Sequence, residues 1–257
     1  MTTAFAQTLS DVLQLQSFAP SDHVNQTMSS LVASVIAHPD STLPSDSTIM
    51  AVRRNSAAAE AALELFWSKH ITSSSHPIDA LSSFPYRHNY AELVRRELAQ
   101  LSATRPNIGI GSRVLIIGSG PLPLTAYEIA QQTGAAVDQL DIDRAAVDAG
   151  RAFCDAVGME SVYLLGDGQS TPLTGPYDAV LIAALAGEST DEKQAIVDNV
   201  VTGLGHNGRI VLRSAKGTRT LLYPEIKEDA LTGVTLLASY HPDDEIINSV
   251  LIYGTPA

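Results

Sequence analysis

The chain has 257 residues, one cysteine, and 16 Lys and Arg against 28 Asp and Glu, for a net charge of −12. Nucleic acid and anionic membranes need clustered basic side chains to neutralise phosphate, so this balance excludes both as main partners. A single cysteine excludes an internal disulfide, and no apolar run approaches the ~20 residues that span a bilayer. The length suffices for one large domain or two modest ones with proper cores. The first residues show no basic stretch leading into an apolar one, so the expectation is a cytoplasmic protein.

The first hundred residues lack strand-like alternation and predict helices over Phe5–Leu15, His23–Ala37, Thr48–His70 and Asn89–Ser102. Pro39–Ser47 is a connection rich in Pro, Ser and Asp, in which Ser45 or Asp46 can cap the long Ala-rich helix after it. Thr104–Gly111 is a turn-rich linker. It divides the chain into an N-terminal helical domain, residues 1–105, and a second domain, residues 106–257. The helical domain most naturally covers the open C-terminal edge of the sheet and builds a reaction chamber; a dimerisation layer, alone or in addition, is the alternative.

The second domain opens with Val114–Ile117, a short apolar run suited to a strand buried on both faces. Gly118-Ser119-Gly120-Pro121 comes next, then helical composition from Leu124 to Gln132. Strand, glycine turn and helix form the first unit of a nucleotide-binding sheet, with the helix amides aimed at the ligand. Ala135–Leu140 is the second strand, and it ends in Asp141-Ile142-Asp143. An acid at this tip, about 20 residues after the glycines, is where a ribose hydroxyl pair is gripped. A helix over Arg144–Val157 leads to a third strand, Ser161–Leu165, closed by Gly166-Asp167-Gly168. Tyr177–Ala184 is a fourth strand, Asp191–Leu204 a helix and Gly208–Arg213 a fifth strand. Gly233–Tyr240 and Asn248–Tyr253 add an edge hairpin. Alternating strands and helices give the α/β class with a mainly parallel, Rossmann-like sheet. Both dinucleotide enzymes and S-adenosylmethionine (SAM) enzymes fit this order. Pro123 stands where the dinucleotide fingerprint has its third glycine, which favours SAM.

The stretch Gly118-Ser119-Gly120-Pro121-Leu122-Pro123-Leu124-Thr125 resembles the signature of the nicotianamine synthases and of the related opine-metallophore enzymes. Further segments are similar to that family: Arg213-Ser214-Ala215-Lys216-Gly217, Leu222-Tyr223-Pro224, Tyr240-His241-Pro242 and Ile247-Asn248-Ser249-Val250. Upstream, Phe84-Pro85-Tyr86, Asn89-Tyr90 and the helix around Glu60 and Leu63-Glu64 resemble it too, so the likeness spans residues 55–253. Lys216 departs from the plant pattern, which has His there. The resemblance implies a class I SAM-dependent transferase fold. It also implies movement of the 3-amino-3-carboxypropyl group of SAM onto a small-molecule amine, with release of methylthioadenosine. The acceptor is a SAM-derived amine or, in the opine branch (histidine 2-aminobutanoyltransferases), histidine. The generic fold alone admits an ordinary methyltransferase or a non-catalytic SAM-binding domain.

An amine acceptor is mostly protonated near neutral pH, so the reaction needs a group that holds and deprotonates it, away from water. The resemblance assigns that role to Glu64, with Glu60 one turn away on the same helix face. Tyr90 is the second catalytic candidate, its hydroxyl able to orient a polar group while its ring packs the chamber wall. Tyr86 and His88 closely precede Tyr90 and are weaker substrate-contact candidates, His88 as a base, and Arg213 at the end of the fifth strand can pair a substrate carboxylate. For SAM the expected contacts are Gly118, Ser119, Gly120, Pro121, Asp141 or Asp143 at the ribose, Asp167 at the adenine amino group, and the small residue Ala183 beside the transferring chain. Thr125 opens the helix as a candidate cap. His76 and His241 precede prolines and lack ligand spacing, so no metal site is expected. Cys154 reads as a buried, inert thiol.

Overall fold

Each of the first three helices starts where a short polar side chain can take a free amide three residues on. In the computed structural model, which describes residues 2–256, Thr2 caps α1 (Thr3–Gln14), Ser21 caps α2 (Asp22–Ala37) and Ser45 caps α3 (Asp46–Thr72). A short α4 (Pro77–Ser82) comes next, with Pro77 at its first turn, where a missing amide costs nothing. Six residues are too few to show periodicity, so no sequence pattern announces this turn. α5 (Arg87–Thr104) begins two residues before the expected start.

The sheet is built from β1 (Arg113–Ile117), β2 (Ala136–Asp141), β3 (Tyr163–Leu165), β4 (Tyr177–Ile182), β5 (Leu204–Ser214), β6 (Thr235–Tyr240) and β7 (Ser249–Gly254). Their order is β3-β2-β1-β4-β5-β7-β6. The first five pair in parallel, and β7 and β6 close the edge as the expected antiparallel hairpin. α6 (Leu124–Thr133), α7 (Arg144–Val157) and α8 (Thr190–Gly203) connect the strands. Gly134 and Gly158 end α6 and α7 in the left-handed conformation that favours glycine.

β1 shows why its residues are apolar without alternation. Val114 and Ile116 enter one core, with Leu93, Ile129 and Phe153 of α5, α6 and α7. Leu115 and Ile117 enter the other, with Ile196, Val197 and Val200 of α8. β3 is shorter than expected because Ser161 leaves the ladder: its hydroxyl donates to the Val137 carbonyl at 2.6 Å and accepts from Gln139 at 2.7 Å.

α1, α2 and the start of α3 share a separate small core with Leu221 and Leu222, beside a 3-10 turn at Gly217–Leu221. Arg53 of α3 donates to the Thr220 carbonyl at 3.1 and 2.5 Å, and Thr218 donates to the Val35 carbonyl at 2.8 Å. These bonds fix the helical segment over the ends of β1, β2 and β5. Among the described residues no helix is long and apolar enough to cross a membrane.

Candidate active site

The glycine turn after β1 is held from every side. Gly118 N–H donates to the Leu140 carbonyl at 2.8 Å, and the Ser119 hydroxyl donates to Gln139 Oε1 at 2.5 Å. Gly120 N–H donates to Asp141 Oδ2 at 2.8 Å, and the Tyr163 hydroxyl donates to the Gly120 carbonyl. Gly118 and Gly120 have φ of 78° and 72°, where a side chain is strained. A Cβ on Gly118 would lie 2.8 Å from Cβ of Ala186 and 3.2 Å from that of Ala183, so Ala183 leaves room for the turn. Asp141 is therefore partly a scaffold: its second oxygen, Oδ1, accepts from Asp143 N–H at 2.9 Å.

A Cβ on Gly120 would lie 2.9 Å from Oε2 of Glu64. The Glu64 carboxylate thus rests on the bare backbone of the turn, although 56 residues separate the two in sequence. The Tyr90 hydroxyl donates to Glu64 Oε1 at 2.7 Å. One turn back along α3, Glu60 Oε1 accepts from the Tyr223 hydroxyl at 2.9 Å. Burial and the neighbouring Glu60 push the Glu64 carboxyl up to about 8; Asp141 adds to the rise, while the Tyr90 bond and Arg213 oppose it. Burial likewise raises Glu60, against the pull of Tyr223 and Arg213. Tyr90 and Tyr223 are raised well above the ordinary phenol range, by burial first and then by the carboxylates, so both remain neutral donors.

These groups line one cavity of about 700 Å³ between the helical segment and the C-terminal ends of the strands. Gly118, Ser119, Gly120, Pro121, Asp141, Asp143, Asp167, Ala183, Glu60, Glu64, Tyr86, Tyr90 and Arg213 all reach its wall. Phe18, Val24 and Met28 form its apolar side. Seven acids line it (Glu60, Glu64, Asp141, Asp143, Asp167, Glu192 and Glu245) against one base, Arg213. That imbalance favours a ligand with positive charge.

Several expected residues have other duties. His88 is exposed and stays outside the cavity; two residues along a helix turn a side chain by about 200°, so Tyr90 faces inward and His88 does not. Arg213 donates through Nε and Nη2 to Glu97 at 2.7 and 3.0 Å, and through Nη2 to Thr125 at 3.0 Å. Thr125 therefore serves Arg213, and Pro123 occupies the cap position of α6. Asp143 caps α7 through Ala145 N–H at 2.9 Å. The Ser119 hydroxyl is engaged with Gln139. Asp167 Oδ1 accepts from Gln169 N–H at 2.9 Å, closing its own turn. The His241 ring bridges Ser249 and Glu228. Among the described residues no three of His, Cys, Asp or Glu are grouped to hold a metal ion. Cys154 is buried, with its thiol raised by desolvation.

Sequence reasoning overlooks Tyr163, Tyr223, Glu97 and Gln139. Tyr223 stands within a segment that resembles the family, but only the fold brings it to Glu60.

The family described as nicotianamine synthase protein matches residues 4–255. Nicotianamine synthase 9 of Hordeum vulgare is 35% identical over 256 residues, covering 93% of this chain and 74% of that one. The crystal structure of MtNAS in complex with MTA and tNA superposes with a TM-score of 0.81 at 21% identity, covering 98% of this chain and 97% of that one. A substituted MtNAS in complex with S-adenosylmethionine gives 0.82 at 20% identity and 99% coverage of both. The magnesium protoporphyrin IX methyltransferase of Synechocystis, with bound SAH, gives 0.51 at 17% identity over 64% of this chain and 83% of that one. The fold is that of the SAM-dependent transferases, and, on the family match and the identity to the barley enzyme, this chain belongs to the nicotianamine synthase family.

Proposed function

We propose that the protein transfers the 3-amino-3-carboxypropyl group of SAM onto an amine, releasing methylthioadenosine, in the making of a nicotianamine-type chelator. The observation that carries this reading is the Glu64 carboxylate, bonded to Tyr90 and lying against Gly120 of the nucleotide turn. In this reading the turn Gly118–Pro121 wraps the methionine end of SAM, Asp141 grips the ribose and Asp167 meets the adenine. The excess of acids around the cavity suits a sulfonium and an ammonium together.

The sulfonium makes three attached carbons electrophilic, and orientation decides which is attacked. Glu64 takes a proton from the acceptor ammonium. The freed nitrogen lone pair then attacks the γ-carbon of the methionine part, the carbon–sulfur bond breaks, and its electron pair leaves on methylthioadenosine. A carboxyl raised to about 8 is a far stronger base than an exposed glutamate. Phe18, Val24 and Met28 supply an apolar cover that keeps water from the sulfonium. The α1–α2 connection and α2 act here as that cover, and a cytoplasmic enzyme fits the buried, unpaired Cys154. Transfer to histidine is not favoured, because the family and the barley relative both carry the nicotianamine name.

Incubation of the purified protein with SAM, followed by chromatography, tests the reaction class. Methylthioadenosine is the expected product; S-adenosylhomocysteine would mean methyl transfer and end this reading. The nucleotide grip is tested separately. Asp141→Ala removes the ribose acceptor and the tether of Gly120, and each charge-assisted bond is worth about 1.5–3 kcal/mol. SAM affinity should fall roughly ten- to hundred-fold by calorimetry, whereas unchanged affinity in a folded variant would reject the assignment.

A further inference from the structure

The cavity contains a second carboxylate–phenol pair that the transfer step leaves without a task. Glu60 and Glu64 lie four residues apart on α3, and both line the cavity. Each accepts from one half-buried phenol through Oε1, Glu60 from Tyr223 at 2.9 Å and Glu64 from Tyr90 at 2.7 Å. Among the described residues neither carboxylate is in a salt bridge, and neither Oε2 accepts a hydrogen bond. The one basic side chain on the wall, Arg213, is bound to Glu97 by two of its nitrogens. Two half-buried carboxylates side by side on the cavity wall without cations are costly, and each gains from a positive ligand group.

A surface or core role accounts poorly for Glu60. A core position would be filled by an apolar residue at less cost, and a solvated one would not have a phenol aligned on it. The spacing is informative. Residues four apart on a helix hold their Cβ atoms about 5–6 Å apart. Two nitrogens joined by three carbons are about 5 Å apart when extended. Three carbons also separate the amine and the sulfonium of SAM itself, and the transferred unit repeats that spacing.

We propose that the Glu60–Tyr223 pair receives a second cationic centre of the acceptor, three carbons from the nitrogen held at Glu64. This rests on the aminocarboxypropyl-transfer reading above, and it narrows the acceptor class to amines with two positive centres. Glu64 takes the proton of the attacking nitrogen; Glu60 keeps its own ligand charged and fixes the acceptor along α3. Tyr90 and Tyr223 each occupy one carboxylate oxygen and leave the other for the ligand.

The probes are 2,4-diaminobutanoate, which has both nitrogens at this spacing, and 4-aminobutanoate, which lacks the second. Methylthioadenosine-saturated full-length protein is titrated with each by calorimetry. Wild type should bind the diamine about 10- to 100-fold more tightly. Glu60→Gln should abolish that preference while methylthioadenosine affinity stays within about twofold. Tyr223→Phe, which removes only a hydroxyl, should reduce the preference several-fold, and it decides the matter if Glu60→Gln fails to fold. Equal binding or no binding of the two probes by wild type, or a preference retained in Glu60→Gln, overturns the proposal. So does a parallel loss of methylthioadenosine affinity, which would assign the pair to the donor. A wild type that neither binds methylthioadenosine nor releases it from SAM refutes the transfer reading instead.

Discussion

Glu64→Gln should leave the protein folded and able to bind SAM while methylthioadenosine release falls by about 10²–10⁴-fold, the usual worth of a positioned proton acceptor. Glutamine keeps the length of the side chain and an oxygen for the Tyr90 hydroxyl, so the contact between α3 and α5 survives. It cannot hold an ammonium by charge, and it cannot take the proton. The turn at Gly118–Pro121 is held by Leu140, Gln139, Asp141 and Tyr163 rather than by Glu64, so the SAM contacts expected there and at Asp141 remain. Single-turnover release of methylthioadenosine, with SAM saturation checked separately, measures the loss. A decrease of less than about threefold would remove Glu64 from the reaction.

The same residue sets the pH dependence. In the free enzyme the Glu64 carboxyl is held at about 8, by burial first and then by Glu60. A carboxyl with a raised pKa is protonated at neutral pH and cannot act as a base there. The specificity constant kcat/KM reports the free enzyme, so it should rise with pH and level off above about 8. A cationic acceptor beside Glu64 favours the carboxylate, which moves the corresponding limb of kcat to lower pH. Glu60, Asp141, Tyr90, Tyr163, Tyr223 and Arg213 face the site and contribute to its field. Persistence of the limb near 8 in Glu64→Gln would assign it to the acceptor amine.

Local features are legible in the sequence, and contacts across the fold are not. The glycine turn, Asp141 and the alternation of strands and helices are written within a few residues, where steric rules and periodicity act directly. Ser45 is legible as a cap for the same reason. Glu64 is different: composition makes it one of several helix acids, and only the resemblance singles it out. Its meeting with Gly120 depends on α3 packing across the sheet ends, which no local pattern encodes. His88 is a candidate only through its closeness to Tyr90 along the chain, and helix geometry turns the two apart. The Ser119 hydroxyl is expected at the ligand, yet the buried amide of Gln139 has a stronger need for it, since an unmet polar group in the core is costly. Tyr223 and Glu97 have partners 163 and 116 residues away, beyond any reading by spacing.

Arg213→Met should destabilise the protein by about 3–5 kcal/mol, the cost of leaving one member of a buried ion pair alone. Arg213 is 7% exposed and Glu97 1%, and two donors of the guanidinium lie on the two carboxylate oxygens. The pair joins β5 to α5, and the bond from Nη2 to Thr125 brings in the first turn of α6. Methionine fills much of the same volume, so little of the loss would come from a cavity; it comes from a Glu97 carboxylate with neither water nor cation. Adding Glu97→Leu removes that charge, and the double variant should regain most of the stability, because well-packed apolar pairs often equal buried ion pairs. Urea unfolding of the two single variants and the double variant gives the coupling directly. A loss below about 1 kcal/mol in Arg213→Met would show that Glu97 does not need the guanidinium, and a full loss without recovery in the double variant would show that the guanidinium stabilises something other than Glu97. With recovery, the loss in Arg213→Met is the cost of an unpaired Glu97, and apolar packing suffices to hold α5, and with it Tyr90, against the strand that borders the cavity.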